Sequence, residues 1–167
     1  CGNREFASEA IAIPFSVSPA DSIPGIVRDC TGREVCKWMD EVKKISHLFP
    51  QGMPRITLDC NCGHRAHLLE GGSFALPILA AAWRMSGELC DYEALEVIFT
   101  GSFNAVGKLV SVGALEAKRE LAHRLGGRLF IFPDNAEPDS TRWPIPPGTS
   151  VSRCIDMVGR AFEKHGI

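Results

Sequence analysis

The hydrophobic positions of the chain repeat with two different periods, which separate predicted strands from predicted helices. Short apolar runs rich in β-branched and aromatic residues are typical of strands. Runs of this kind occur at residues 10–17, 55–60, 96–100 and 128–132. Residues 101–112 predict a turn and a short strand, and the proline-rich segment 134–150 predicts a loop.

Helical periodicity, with apolar residues three and four positions apart, marks the remaining segments. Helices are predicted over residues 31–49, 73–85, 114–125 and 151–164. A capping box formed by Thr31 and Glu34 is expected to open the first helix. Ser73 is a favourable N-cap residue for the second helix, and Gly126-Gly127 ends the third.

This order of elements predicts the fold class. Strands and helices alternate without strict βαβ regularity, so we expect an α+β fold in which helices pack on mixed β-sheets. A chain of 167 residues that is 45% hydrophobic can form one globular domain, residues 1–167. Because the first residue is Cys1 and not Met, we expect this domain to be a fragment of a longer protein.

Charge and cysteine usage exclude several classes of partner. The net charge is −2 and no basic stripe is visible, so no nucleic-acid partner is expected. The longest apolar run, residues 74–83, is too short to span a membrane, and no secretory signal is visible. Seven irregularly spaced cysteines argue against a disulfide framework and for a cytoplasmic location.

A cysteine and histidine cluster in the middle of the chain raises the alternative of a zinc-binding interaction domain. Its members are Cys60, Cys62, His64 and His67. The two cysteines are closer than in a Cys-x2-Cys pair, and the chain offers no second pair. On a strand they would face the same side, as small buried side chains do. We therefore expect no metal site.

Lys118 lies at the centre of the apolar face of the third predicted helix. At about 100° per residue, five apolar side chains fall within about 60° of it. They are Ala114, Leu115, Leu121, Ala122 and Leu125. If the Lys118 amine is buried, it has either an ion-pair partner or a pKa lowered by burial. Alternatively, only the stem of the side chain is buried and the amine extends to water. The helical wheel leaves both interpretations open.

Gly71-Gly72-Ser73 precedes the second helix, where backbone N–H groups and the helix dipole could stabilise an oxyanion. Ser73 is either a nucleophile or an ordinary N-cap serine. The segment from Gly101 to Lys108 is similar to a phosphate-binding P-loop. It has one residue too many between its glycines, however, and Leu109 in place of Ser or Thr. We therefore expect no nucleotide cofactor in this domain.

Considered together, these segments resemble the proteolytic domain of Lon proteases, most closely over residues 70–135. Residues Thr100-Gly101 and 107–118 (GKLVSVGALEAK) resemble the family's Thr-Gly-Glu followed by Gly-x-Val-x-Pro-Val-Gly-Gly-Leu-Lys-Glu-Lys. The last lysine of that motif falls on Lys118. Residues 70–75 (EGGSFA) occupy the place of the family's Asp-Gly-Pro-Ser-Ala-Gly, whose serine falls on Ser73.

The resemblance implies a serine endopeptidase that hydrolyses protein or peptide substrates through a Ser–Lys dyad. Ser73 would be the nucleophile, Lys118 its general base, and the Thr100 hydroxyl would orient the lysine amine. It implies no metal and no cofactor in this domain, with ATP needed only if an ATPase domain lies elsewhere in the parent chain. It also implies that the full-length protein forms a homohexamer. The isolated domain is expected to be a monomer or a weak oligomer.

The flanking residues depart from the family pattern and mark a divergent member. Glu70 replaces Asp, Gly72 replaces Pro, and Phe74 stands where the family has Ala. The Phe74 ring is expected either to shield the nucleophile or to pack into the core. These changes keep open an alternative in which the domain is a catalytically inactive Lon-like scaffold.

Overall fold

The computed structural model describes residues 15–19, 27–29, 31–49, 52–58, 73–93 and 96–167. These residues form an α+β fold, as the sequence predicts. The strands are β1 (Phe15–Ser18), β2 (Val27–Asp29), β3 (Arg55–Leu58), β4 (Val97–Phe99), β5 (Ser102–Phe103), β6 (Leu109–Val110), β7 (Leu129–Pro133) and β8 (Arg142–Ile145). The helices are α1 (Cys36–Ile45), α2 (Ala75–Ser86), α3 (Leu115–Arg124) and α4 (Val151–His165), with a 3₁₀ turn at Ser46–Leu48.

A parallel sheet of order β4-β7-β8 forms the centre of the C-terminal part of the chain. Strand β7 lies between the other two and is buried along its whole length. Its sequence, LFIFP, is apolar at every position, as expected of a parallel strand covered on both faces. Two other sheets are present in the described residues: β1-β3-β2, and the hairpin β5-β6.

The two faces of the β4-β7-β8 sheet are covered by different helices. Alternate β7 residues, Leu129 and Ile131, belong to a large core that also contains Val158 and Phe162 of α4. The other β7 residues, Phe130 and Phe132, form a smaller cluster with Ala122 of α3. We call these the α4 face and the α3 face of the sheet. This division follows from the two-residue period of side chains along a strand.

Helix α3 runs from the carboxyl end of β4 back towards its amino end. Gly127, just after the helix, lies so close to Ile98 that a Cβ there would be 2.8 Å from Ile98 Cδ1. Leu115, at the start of α3, packs against the Phe130 and Phe132 cluster. This is the direction expected of a helix that connects two parallel strands, because the chain must return before it enters the next one.

Several predicted boundaries are wrong. Helix α1 begins at Cys36 with Val35 as its N-cap and without a side-chain cap, so Thr31 and Glu34 do not open it. Helix α2 begins at Ala75, and its N-cap is Phe74 instead of Ser73. The predicted strand over 10–17 is confirmed only in part, by β1, since residues 10–14 lie outside the described residues.

Two strands were not predicted. The prolines of segment 134–150, among them Pro144, predict a loop, but strand β8 lies inside this segment. Pro144 is tolerated because β8 is at the edge of its sheet, where a missing N–H breaks no ladder. Strand β2 is too short to show a period. Among the described residues, no helix is long and apolar enough to cross a membrane.

Candidate functional site

Ser73 lies beside the carboxyl end of β4. Its neighbour Phe74 forms a parallel bridge with Gly101, the second residue after that strand. Gly101 N donates to the Ser73 carbonyl at 2.8 Å, and Leu76 N donates to the Gly101 carbonyl at 3.1 Å. A Cβ on Gly101 would be 2.8 Å from Leu76 Cβ, so glycine is what allows this close approach. The start of α2 is thereby fixed against the end of β4.

Thr100 connects the candidate nucleophile to the sheet. It is 5% exposed, and its backbone N–H extends the β4-β7 ladder by donating to the Ile131 carbonyl at 3.0 Å. Its hydroxyl donates to the Ser73 carbonyl at 3.5 Å, which is the outer limit of hydrogen-bond distance. Thr100 therefore contacts the Ser73 backbone, and its hydroxyl is buried close to the edge of the sheet.

Lys118 is the fourth residue of α3 and lies on the side of the helix that faces the sheet. Leu115 and Ala122, three positions before it and four after it, both belong to the cluster on the α3 face. Residues at these spacings share one side of a helix. The Lys118 side chain is partly buried, and this burial lowers the pKa of its amine below the usual 10.5.

The topology brings Lys118 and Thr100 to the same level on the same face. Phe99 packs against Phe162 on the α4 face, so the next side chain, Thr100, points to the α3 face. Thr100 is about 6.6 Å beyond Ile98 along the strand direction. Lys118 is about 6 Å before Ala122 along α3, which runs the opposite way. Since Ile98 packs against the cluster that contains Ala122, both displacements lead towards the carboxyl edge of the sheet.

The described hydrogen bonds hold Ser73 by its backbone carbonyl. No described residue forms a hydrogen bond with Ser73 Oγ, and none forms a hydrogen bond or ion pair with Lys118 Nζ. Ser73 itself is partly exposed. The parallel bridge between Phe74 and Gly101 sets the backbone of Ser73 level with Thr100.

The remaining predicted site residues fall into two groups. Phe74 is partly buried and packs against the large core, which agrees with the packing interpretation of its ring. Glu70 and Gly72 lie outside the described residues, as do Cys60, Cys62, His64 and His67 of the zinc hypothesis. Within the residues that are described, no group of three or more Asp, Glu, His or Cys side chains could hold a metal ion.

The segment that is similar to a P-loop forms the hairpin β5-β6 instead of a loop that leads into a helix. Asn104 Oδ1 accepts hydrogen bonds from the backbone N–H groups of Val106 and Lys108, at 3.1 and 2.9 Å. The asparagine side chain therefore closes the turn and satisfies donors that a P-loop would direct at phosphate.

One notable residue was missed by the sequence analysis. Ala114, the N-cap of α3, has φ 53° and ψ 37°, in the left-handed region. No signal in the sequence marks this residue, because alanine ordinarily avoids the left-handed region.

Comparison with known proteins does not assign a family. No protein-family model matches the chain, and a search of curated proteins gives no significant match.

Proposed function

We propose that this domain is a serine peptidase that hydrolyses peptide bonds with Ser73 as nucleophile and Lys118 as general base. The observation that supports the proposal most directly is the placement of Lys118. Lys118 shares a side of α3 with Leu115 and Ala122, which pack on the sheet, and the Thr100 hydroxyl at the edge of that sheet contacts the Ser73 carbonyl. Burial lowers the pKa of the Lys118 amine, and a base works best when its pKa is near the working pH.

In the proposed reaction, the neutral Lys118 amine takes the proton from Ser73 Oγ as that oxygen attacks the scissile carbonyl carbon. The tetrahedral intermediate collapses, the C–N bond breaks, and the Lys118 ammonium gives its proton to the leaving amine. Water then attacks the acyl ester, with Lys118 again as the base, and Ser73 is regenerated. The reaction needs no metal and no cofactor.

Oxyanion stabilisation would come from the backbone at the start of α2. The first N–H groups of a helix have no partner within the helix and lie at the positive end of its dipole. The Leu76 N–H already donates to the Gly101 carbonyl, and Pro77 has no N–H. The donors in this proposal are therefore the N–H groups of residues 73–75.

The wider context follows from the same proposal. The substrates would be proteins or peptides, the domain would act in the cytoplasm, and ATP would be used only if the parent protein also carries an ATPase domain. A ring of six copies belongs to that full-length context. The isolated domain is a monomer or a weak oligomer.

An inactive Lon-like scaffold is the second candidate function. The structural argument for it is that the Ser73 backbone is anchored to β4 while Phe74, the next residue, is packed against the large core. A nucleophile fixed from both sides can reach the lysine amine only if the hydroxyl already points towards it.

Labelling by a serine-directed phosphonate separates these two functions. We expect labelling of the wild-type domain at Ser73, and loss of labelling in Ser73→Ala and Lys118→Met. Lys108→Met is the matched control, because Lys108 is an exposed lysine on the hairpin and should leave labelling unchanged. Absence of labelling in a folded wild-type domain would favour the scaffold. Undiminished labelling in Lys118→Met would refute the dyad.

A further inference from the structure

The chain carries glycine and alanine in an unexpected order just before α3. Ala114 is the only non-glycine residue among those described with a positive φ. Its neighbour Gly113 has no positive φ, and a Cβ built on it would meet nothing within 4 Å. Glycine therefore occupies the position that does not require it, and alanine occupies the position where the backbone favours glycine.

A left-handed alanine is strained by about 1–2 kcal/mol relative to a right-handed one. Such strain persists only where the surrounding structure determines the conformation, and it is concentrated at functional sites. Two contacts on the helical side of Ala114 constrain its conformation. Leu115 is packed against the cluster on the α3 face, and the Ala114 carbonyl accepts the Lys118 N–H at 3.1 Å.

The second of these contacts links the strained residue directly to the candidate base. The hydrogen bond from Lys118 N to Ala114 O is the first turn of α3. A different backbone conformation at Ala114 would break this first turn and displace the start of α3, and Lys118 with it, relative to the sheet. The left-handed Ala114 thus holds the first turn in place.

We propose that Ala114 is a positioning residue for Lys118: its left-handed conformation holds the first turn of α3 in place, so that the lysine amine lies over the α3 face beside Thr100. The catalytic part of this inference rests on the proposed function. The geometric part does not, because the amine can be followed by its own chemistry.

The test compares substitutions that accept the left-handed conformation with substitutions that resist it. Glycine and asparagine adopt that conformation readily, whereas a β-branched side chain does so only as a rare outlier. Asparagine and valine also have similar sizes. The variants are therefore Ala114→Gly and Ala114→Asn against Ala114→Val, with Ala114→Leu as a second resisting variant if the valine protein does not fold. Gly113→Ala is the control one residue away.

Two readouts are needed, and the first does not depend on peptidase activity. The pH dependence of Lys118 acylation by an amine-directed reagent, followed by peptide mass spectrometry, reports the pKa of the amine. The apolar side chains that pack on α3 from the sheet are Ile98, Phe130 and Phe132. Arg142 of β8 interacts electrostatically with Glu116 of α3, whereas the resolved cause of the lowered pKa of Lys118 is burial. The second readout is kcat for a small unstructured peptide.

We expect Ala114→Gly, Ala114→Asn and Gly113→Ala to keep the wild-type acylation profile and a kcat within about threefold of wild type. In Ala114→Val or Ala114→Leu the profile should move to higher pH as the amine becomes exposed. Their kcat should fall by about 10- to 100-fold, since a displacement of about 1 Å at a catalytic group has effects of this size.

An unchanged acylation profile in a folded valine or leucine variant would overturn the inference, as would equal shifts in the glycine and asparagine variants. Failure of the proposed function has a different signature. In that case Lys118→Met would retain any hydrolysis that the wild type shows, while the acylation profiles of the Ala114 variants would still report the position of the amine.

Discussion

The two faces of the β4-β7-β8 sheet bury titratable groups with opposite chemical consequences. On the α4 face, burial raises the pKa of Tyr92 to about 12 and that of the Cys154 thiol to about 12. On the α3 face, burial lowers the pKa of the Lys118 amine. Burial favours the uncharged form in each case. An uncharged phenol or thiol is not a nucleophile or base, whereas an uncharged amine is a base.

The faces also differ in how completely they are covered. The α4 face joins a core that extends through α2 and α4, and it includes the ring contacts between Phe162 and its neighbours Tyr92 and Phe99, at 5.3 and 6.4 Å. The α3 face has a small cluster formed by Ala122, Phe130 and Phe132. The α4 face therefore holds the larger share of the buried core, while the proposed catalytic residues belong to the α3 face.

The largest expected effect is the loss of activity when either residue of the proposed Ser–Lys dyad is substituted. Ser73→Ala and Lys118→Arg should each lower kcat for peptide hydrolysis by at least about 10³-fold, and the double variant should be no worse, because the two residues act as one unit. Arginine keeps the positive charge but does not deprotonate in proteins. Thermal unfolding should stay close to wild type. Additive losses in the double variant would contradict this assignment.

The largest expected effect on stability is on the other face. Phe162 is 1% exposed, so Phe162→Ala should lower the free energy of unfolding by about 3–5 kcal/mol through the cavity that it leaves. Leu115→Ala, at a partly buried residue packed against the cluster of the α3 face, is the comparison variant and should cost only about 1–2 kcal/mol. Urea denaturation measures both values. Equal losses would remove the distinction between the faces.

A smaller effect on activity is expected at Thr100. Thr100→Val keeps the shape of the side chain but removes its hydroxyl, which should lower kcat by about 10- to 100-fold if that hydroxyl only orients other groups. Thr100→Ser should restore most of the activity. Steady-state kinetics on the two variants decides the point: a valine variant as active as the serine variant shows that the hydroxyl has no role.

The smallest expected effect concerns backbone strain at Ala114. Ala114→Gly should raise the free energy of unfolding by about 0.5–1 kcal/mol, because relief of the left-handed strain exceeds the added flexibility of the unfolded chain. Gly113→Ala, at a position without positive φ, should not destabilise the protein. Chemical denaturation of both variants measures the difference. A destabilised Ala114→Gly variant would show that Ala114 carries no strain.

Much of the sheet and of helices α3 and α4 could be predicted, because one side of each regular element is buried and its apolar residues therefore repeat with the period of that element. The apolar run of β7 and the sheet-facing position of Lys118 both follow from this regularity. The proposal of Ser73 as a nucleophile required the resemblance to Lon proteases, since no sequence pattern distinguishes a catalytic serine before a helix from an ordinary one. In the structure Ser73 is not even the N-cap, because Phe74 takes that place.

What could not be predicted depends on tertiary context. Pro144 suggests a loop until the edge position of β8 is known, since only there does a strand tolerate a missing N–H. The left-handed conformation of Ala114 contradicts the local preference of alanine and is held by packing further along the chain. Both features result from neighbours that are distant in sequence.

The pH dependence of peptide hydrolysis tests the central claim most directly. Because burial lowers the pKa of Lys118, activity should rise with pH along a limb centred below 10.5, as the ammonium gives way to the neutral amine. His123 is an exposed histidine on the same helix and serves as the control. The account predicts that His123→Gln leaves the limb in place while Lys118→Arg abolishes activity at every pH. A limb that moves or disappears in His123→Gln, or substantial activity in Lys118→Arg, would contradict it.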